Sequence, residues 1–160
     1  MTREKTKAVD TTPAAGLKEG GMHMLLGYQL AQVTILTNAS FVRVAGDPLE
    51  LRPVEFTILQ LVHENAPVNA TKVAKALAVS LPAITLWLDR MEQRGLVERE
   101  RDRVDRRAQN LRITRKGENL VTSALERLLE ADREIMSSLT EGERQMTLEL
   151  LSKLARVRNR

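Results

Sequence analysis

The 160-residue chain contains no cysteine, which excludes disulfide frameworks, thiolate zinc sites and redox sensing through a thiol. Aromatic residues make up only 2% of the chain, too few for the stacking platforms that bind single strands or RNA loops. No apolar run approaches the roughly 18 to 20 residues that cross a bilayer, and the N-terminus lacks the apolar core of a signal peptide. We therefore expect a cytoplasmic protein without a membrane partner, and any nucleic-acid partner should be double-stranded.

Catalytic and metal-binding motifs are missing as well. The sequence has no Gly-rich phosphate loop and no Gly-x-Ser-x-Gly elbow, and His63-Glu64 lacks the second histidine of a zinc-protease motif. The two histidines, His23 and His63, are too far apart in sequence to suggest a His-rich metal site. We expect neither an enzyme nor a bound metal or cofactor.

Basic charge is concentrated in one quarter of the chain. Between Ala78 and Lys116, ten lysines and arginines stand against six acids, whereas the rest of the chain carries 15 residues of each sign. This quarter therefore carries the whole net charge of +4. Phosphate binding depends on such local fields, because each neutralised phosphate releases counterions. The alternative interpretation is a charged hairpin that is merely solvated.

This quarter, together with the segment just before it, has the order of parts of a winged helix-turn-helix. Asn69 and Ser80 are candidate N-caps of two closely spaced helices, of which the second, mostly neutral one ends at Arg94 before Gly95. The charged hairpin that follows would form the wing. Its two short strands are predicted at Leu96–Val97 and Leu111–Ile113.

Long apolar stripes flank this head on both sides and predict a mainly α fold with a small β-hairpin wing. The stripes exceed what a head of ~60 residues can cover, so we expect a homodimer built by the chain ends. The alternative is a monomeric bundle that folds back on its own head. The predicted domains are a flexible leader (1–21), an N-terminal dimerisation helix (22–46), a winged helix-turn-helix domain (51–116) and C-terminal dimerisation helices (117–160), the last of which begins at a capping box, Thr140-x-x-Glu143.

Four segments between Leu51 and Val121 carry a more specific pattern. They are Val73-Ala-Lys-Ala-Leu77, Leu88-Asp-Arg-Met-Glu-Gln-Arg-Gly-Leu96, Asp105-Arg-Arg107 and Ile113-Thr-Arg-Lys-Gly117. In combination they resemble the MarR-type winged-helix transcriptional regulators. The resemblance implies an obligate homodimer with interlocking terminal helices, a recognition helix in the major groove and a wing over the minor groove. It also implies a small-molecule effector, often an aromatic or phenolic acid or its derivative, that binds between the dimerisation region and the DNA-binding lobe and releases the operator.

The predicted DNA contacts lie on the outer face of the recognition helix and in the wing. Ser80 would cap the helix N-terminus, and Thr85 can hydrogen-bond to a base edge. Arg90 can reach a phosphate. Arg94 could instead only be solvated at the end of the helix. Apolar side chains dominate an outer face on which the family commonly carries Arg, Thr or Gln, so specificity should depend on thymine methyls, DNA shape and the wing. The candidate DNA-binding residues are Ser80, Leu81, Pro82, Ala83, Thr85, Leu86, Arg90, Arg101, Arg103, Arg106 and Arg107.

Within the wing, the resemblance assigns Asp105 and Arg107 to a salt bridge that stabilises the hairpin. Arg103 and Arg106 would then be available for the minor groove or a phosphate. Three polar residues on or near the first helix, His23, Tyr28 and Arg43, could line an effector cavity. Structural roles are favoured for each of them, so no effector-binding residue is assigned.

These features together predict a sequence-specific transcriptional regulator, in the first place a repressor, that binds a pseudo-palindromic operator on double-stranded DNA as a homodimer. The alternative is a non-specific DNA-binding or protein-interaction module on the same fold. It is motivated by the sparse base-reading complement of the recognition helix and by a basic C-terminal tail. That tail carries Lys153, Arg156, Arg158 and Arg160.

Overall fold

The computed structural model describes residues 11–101 and 109–157, with Arg101 described through its backbone alone. Four predicted wing residues, Arg103, Asp105, Arg106 and Arg107, lie outside the described residues, and so does the side chain of Arg101. The chain divides into two compact units, Met1–Ala39 and Ser40–Arg160. The fold is mainly α with a small antiparallel sheet, which confirms the predicted fold class.

The first unit contains a short N-terminal hairpin followed by a helix. Thr11 and Lys18 form an antiparallel bridge across a turn in which Ala15 and Gly16 have positive φ. A 3-10 turn, Gly20–Met24, then leads into helix α1, Leu26–Phe41. The leader that was expected to be flexible over residues 1–21 thus has defined structure from residue 11 onward. Apolar periodicity does not reveal such a hairpin, because turn residues and local hydrogen bonds form it.

The single helix predicted over residues 22–46 is wrong in its extent. Helix α1 is followed by a π-helical turn, Val42–Gly46, and by the short helix α2, Asp47–Leu49. Pro48 lies in the first turn of α2, where its missing N–H removes no helical hydrogen bond. The apolar pattern continues across the break, because a π turn lengthens the hydrogen-bonded loop without a helix-breaking residue.

The second unit contains, among the described residues, five further helices, three of which begin at a side-chain cap. Asn69, Thr114 and Thr140 each accept a hydrogen bond from a backbone N–H three residues further on, as predicted for Asn69 and Thr140. Thr140 and Glu143 complete the predicted capping box. The helices are α3 (Pro53–Asn65), α4 (Ala70–Leu77), α5 (Leu81–Gln93), α6 (Arg115–Ile135) and α7 (Glu141–Arg156).

A three-stranded antiparallel sheet closes the head of this unit. Its strands are β1 (Val68–Asn69), β2 (Val97–Arg101) and β3 (Gln109–Ile113), in the spatial order β1-β3-β2. Val97 lies opposite Ile113, and Val68 lies opposite Leu111. Strand β3 contains the predicted strand Leu111–Ile113, and β2 begins at Val97, one residue after the predicted start, and extends to Arg101. Strand β1 was not predicted, because two residues are too few to show an alternating pattern.

The core of the second unit lies beneath α5 and the sheet. Ile84, Leu88 and Met91 of α5 are fully or almost fully buried, and Trp87 packs against them half-buried. They share this core with Ile58, Leu59 and Val62 of α3 and with Leu96, Leu111 and Val121. Within the described ranges no single helix is long and apolar enough to cross a bilayer; α4 and α5 reach that length and composition only as a pair, bent by 116°.

Candidate nucleic-acid interface

The outer face of α5 presents most of the side chains that the sequence assigned to DNA contact. Leu81 is 45% exposed and Leu86 is 52% exposed. Pro82 and Thr85 are also exposed, whereas Ala83 is half-buried. Because the inner face of the same helix is buried, its orientation is determined by packing. The exposed apolar strip is therefore held in a position where it can contact thymine methyl groups.

Ser80 occupies the N-cap position of α5 but does not act as the predicted cap. Its side chain accepts no hydrogen bond from the first turn of the helix. An N-cap side chain normally accepts from the second or third helical N–H. Pro82 is the second helical residue and has no N–H, so one of these two donors is absent. The exposed Ser80 hydroxyl is left for solvent or a phosphate.

Thr85 is the polar side chain at the centre of the outer face. Its hydroxyl donates to the backbone carbonyl of Leu81 at 2.9 Å. The oxygen can still accept a hydrogen bond, and the methyl group stays available for apolar contact. At a base edge Thr85 is thus suited to an adenine or cytosine amino group, or to a thymine methyl.

The two arginines near the end of α5 have different surroundings, although the sequence could not assign them different roles. Arg90 is exposed and forms no ion pair with any described residue. Arg94 instead lies 3.6 Å from the carboxylate of Glu55, which is only 5% exposed. The carbonyl of Arg94 also accepts a hydrogen bond from Lys116 Nζ at 2.8 Å. Arg94 therefore has a structural role, whereas the Arg90 side chain is exposed and has no ion pair among the described residues.

Arg99 joins strand β2 to the recognition helix. Its guanidinium contacts two carboxylates on α5: one nitrogen lies 2.5 Å from Asp89 Oδ1, and the other lies 3.0 Å from Glu92 Oε2. The Arg99 side chain is only 24% exposed. We call this three-residue arrangement the Arg99 fork. It holds the base of the wing against α5. The two carboxylates also neutralise the charge of Arg99, which the sequence analysis counted toward phosphate binding.

A second basic residue of the wing strands is also neutralised. Arg112 Nε donates to Glu100 Oε2 at 2.6 Å across the ladder between β3 and β2. Charge counting cannot detect such pairing, because it depends on strand register and not on distance along the chain. Fewer basic residues of the winged helix-turn-helix are therefore free to bind phosphate than the sequence count suggests.

Two lysines that the sequence analysis left out belong beside this surface. Lys72 and Lys75 are exposed on α4, and neither pairs with an acid in the part of the chain that the structure describes. In helix-turn-helix proteins the first helix of the motif crosses the DNA backbone. The signal was present in the sequence as two lysines one turn apart. A cleft of about 380 Å³ separates this region from the sheet and is lined in part by Thr71, Thr85 and Gln109.

Across residues 11–101 and 109–157, no group of three or more His, Asp or Glu side chains is arranged to hold a metal ion. What the site offers is an apolar strip, a threonine and unpaired cations beside a fixed helix. This set suits contact with a DNA groove and its phosphates.

Comparison with known proteins gives a consistent result. The MarR family model matches residues 51–108. A transcriptional repressor, CouR, solved bound to a 23-mer DNA duplex, is 30% identical, with a TM-score of 0.80 over 88% of this chain and 99% of that one. The regulator BldR from Sulfolobus solfataricus is 27% identical, with a TM-score of 0.71 and the same coverage of 88% and 99%. A MarR-family regulator from Rhodococcus sp. RHA1 is 26% identical, with a TM-score of 0.73 over 81% of this chain and 91% of that one.

Proposed function

The chain belongs to the MarR family of DNA-binding transcriptional regulators, and we propose that it acts as a sequence-specific repressor. The observation that carries this proposal is the outer face of α5, where exposed Leu81, Thr85 and Leu86 lie beside the unpaired Arg90 on a helix whose inner face is buried. The similar repressor CouR is bound to a DNA duplex, which supports double-stranded DNA as the partner of this chain.

In the proposed complex α5 enters the major groove and the wing lies over the minor groove. Arg90, Lys72 and Lys75 bind phosphates, and Ser80 binds a phosphate at the helix N-terminus. Leu81, Pro82, Ala83, Thr85 and Leu86 face the bases. For the wing we propose that Arg101, Arg103 and Arg106 meet the minor groove or its phosphates, and that an ion pair between Asp105 and Arg107 stabilises the hairpin.

We propose that the protein is a homodimer. Helix α7 contains no buried residue, although its sequence is apolar at Met146, Leu150 and Leu154, which lie one above the other at intervals of four residues. A helix with such a face requires a partner in water. Closed two-fold dimers place two recognition helices on the two halves of a pseudo-palindrome, so the operator should have that symmetry.

We further propose that a small molecule releases the protein from its operator. From the family resemblance we take an aromatic or phenolic acid, or a derivative of one, as its chemical class. Its binding residues remain unassigned.

The second candidate is a non-specific DNA-binding or protein-interaction module. The few hydrogen-bonding side chains on the outer face of α5 favour it. The basic tail supports it less than the sequence suggested, because Lys153 lies 2.5 Å from Glu149, while Arg158 and Arg160 lie outside the described residues. Because the family and the similar structures are transcriptional regulators, we favour a binding protein over an enzyme.

Fluorescence anisotropy tests the proposed function. The full-length protein is titrated into labelled DNA from upstream of its own gene and into a scrambled duplex, at about 50 and 200 mM salt. A repressor should bind the upstream DNA much more tightly than the scrambled duplex, and binding should weaken steeply with salt. Other upstream regions are then tested in the same way. Equal affinity for all duplexes would favour the non-specific module. Complexes that form are screened with aromatic acids for release.

A further inference from the structure

The first two turns of α5 present very few hydrogen-bonding groups on their outer face. A recognition helix contacts base edges with its N-terminal residues, which in α5 are residues 81–88. The exposed side chains of this stretch are Leu81, Pro82, Thr85 and Leu86, and the stretch contains no arginine, lysine, asparagine or glutamine. The bidentate hydrogen bonds that commonly read guanine and adenine in the major groove therefore cannot come from these two turns.

These four side chains are neighbours on one face of the helix. Leu81 and Thr85 are four residues apart, and so are Pro82 and Leu86, which places each pair one above the other. Thr85 donates its hydroxyl proton to the carbonyl of Leu81 at 2.9 Å, so toward a base its oxygen is an acceptor only. We call the four residues the α5 apolar patch. Its exposed surface consists of two leucines, a proline ring and one threonine.

Exposed cations on both helices of the helix-turn-helix indicate what covers this patch. Lys72 and Lys75 are exposed on α4, which packs against α5, and Arg90 is exposed on α5 itself. An apolar protein surface would give these cations no partner. The major groove instead offers the C5 methyl group of thymine between two rows of phosphates. The similar repressor CouR is bound to a DNA duplex, so we take DNA as the occupant.

We infer that α5 recognises the C5 methyl groups of pyrimidines in the major groove. The operator then contains thymine where Leu81 or Leu86 touches the DNA, and 5-methylcytosine can replace thymine there. This inference rests on the proposed function and deepens it by naming the group that is read. The C5 methyl is displayed in the major groove and not in the minor groove, so the wing takes no part in this recognition.

Methylation of cytosine at such a position should therefore strengthen binding. The methyl group of 5-methylcytosine lies at the same ring position as that of thymine. The two bases differ in the exocyclic group beside it, which is an amino group in cytosine and an oxygen in thymine. The Thr85 oxygen can accept a hydrogen bond from the amino group, so the α5 apolar patch is compatible with both bases.

The test begins with selection of bound duplexes from a random library by the full-length protein, which gives an operator sequence wherever its gene lies. Each symmetry-related pair of thymines is then replaced by uracil, which removes only the methyl groups. Loss of one contacted methyl should weaken binding roughly threefold, and loss of a pair about tenfold. At the same positions, 5-methylcytosine paired with guanine should bind about tenfold more tightly than unmethylated cytosine paired with guanine. Fluorescence anisotropy measures all four duplexes.

Two variants identify the side chains that contact the methyl groups. Leu81→Ala or Leu86→Ala should bind the thymine operator about as weakly as the wild type binds the uracil operator, and that variant should no longer distinguish the two bases at the affected pair. Leu129→Ala is the matched control, because Leu129 on α6 is 52% exposed, as Leu86 is. It should keep the wild-type ratio of affinities for thymine and uracil.

The outcomes separate this inference from the proposed function. If selection gives no consensus sequence, the sequence-specific function fails and the inference fails with it. A consensus without thymine, or one whose affinity is the same with uracil at every thymine pair, would leave the repressor in place and overturn methyl recognition. Equal binding to methylated and unmethylated cytosine would also overturn it, and so would a uracil effect that persists unchanged in both leucine variants.

Discussion

Gly117 lies where the first turn of α6 crosses the chain that leaves the recognition helix. The backbone of Thr114 donates to the carbonyl of Leu96 at 3.1 Å, and the Thr114 hydroxyl donates to the carbonyl of Gly95 at 2.7 Å. A Cβ on Gly117 would lie 2.1 Å from the carbonyl oxygen of Leu96 and 2.9 Å from Cγ1 of Ile113. Because the nearer obstacle is backbone, it cannot move aside by changing a rotamer.

We expect Gly117→Ala to destabilise the protein by about 1–3 kcal/mol, the usual cost of forcing an extra carbon into a packed site. The control is Gly142→Ala in α7, where a Cβ meets nothing within 4 Å, and its effect should stay within about 0.5 kcal/mol. Urea unfolding followed by circular dichroism measures both. Equal midpoints for the two variants would contradict the close approach of α6 to Leu96.

Arg90 is the residue of α5 whose charge we assign to a phosphate. Arg90→Ala should weaken operator binding and reduce the slope of log K against log salt by about one. Arg133→Ala is the matched control, because it removes the same charge from an exposed arginine of α6 that pairs with Glu130. Its slope should equal that of the wild type. Anisotropy titrations over a range of salt concentrations give both slopes, and an unchanged slope for Arg90→Ala would rule out the phosphate contact.

At this scale the sequence predicts which residues face outward better than it predicts what their polar atoms do. The inward and outward positions of α5 follow from helical spacing, which sets buried Ile84, Leu88 and Met91 opposite the exposed outer face. Arg90 and Arg94 look alike in sequence, four residues apart. They differ in the structure because Glu55 comes from another helix, and no local pattern identifies such a partner.

Between elements, the Arg99 fork is the polar link from the wing to the recognition helix. Arg99→Met should lower operator affinity, because β2 loses its two contacts with α5, but should leave the salt slope unchanged, because Arg99 binds carboxylates and not phosphates. Arg112→Met removes the same charge from the neighbouring strand, where Arg112 pairs with Glu100 and not with α5. Its affinity should stay near that of the wild type.

The same anisotropy titrations over salt distinguish the two roles. A slope that falls by about one in Arg99→Met would mean that Arg99 contacts a phosphate directly. Wild-type affinity with an unchanged slope would mean that packing of the core alone positions the wing.

Elements with local signals could be predicted, and elements without them could not. The caps at Asn69, Thr114 and Thr140 each depend on residues within three positions, so the starts of α4, α6 and α7 follow from the sequence. The π turn and strand β1 have no such signal. The π turn needs no special residue type, and strand β1 is a strand only because it pairs with β3.

At the scale of the whole molecule, the exposed apolar face of α7 tests the proposed dimer. Leu150→Glu places a charge in that face, where Leu150 is 48% exposed in the single chain. We expect the protein to shift from dimer to monomer in sedimentation velocity, with its helical content unchanged because no residue of α7 is buried within its own chain. Ser152→Glu adds the same charge at an exposed polar position of α7 and should leave the dimer intact. A Leu150→Glu variant that stays dimeric would place the interface elsewhere.

The order of helices α3 to α7, with the two wing strands between α5 and α6, could be predicted from the sequence, because each of these helices has its own apolar period and its own breaks. The N-terminal hairpin, the π turn and strand β1 could not. The family followed from four short segments, and the match over residues 51–108 confirms it. The effector could not be assigned from the sequence, because a cavity is formed by residues that folding brings together.

Because β3 is the middle strand of the sheet, it connects the two helices of the helix-turn-helix, α4 and α5, through their neighbouring strands. Strand β1 leads directly into α4, and β2 follows the end of α5, and both strands are hydrogen-bonded to β3. If the wing lies over the minor groove as proposed, a change in groove width that displaces β2 and β3 would also displace the start of α4 and the end of α5. The curvature and stiffness of an operator would be sensed by both helices together, so base pairs that no side chain touches should still influence how well the head fits.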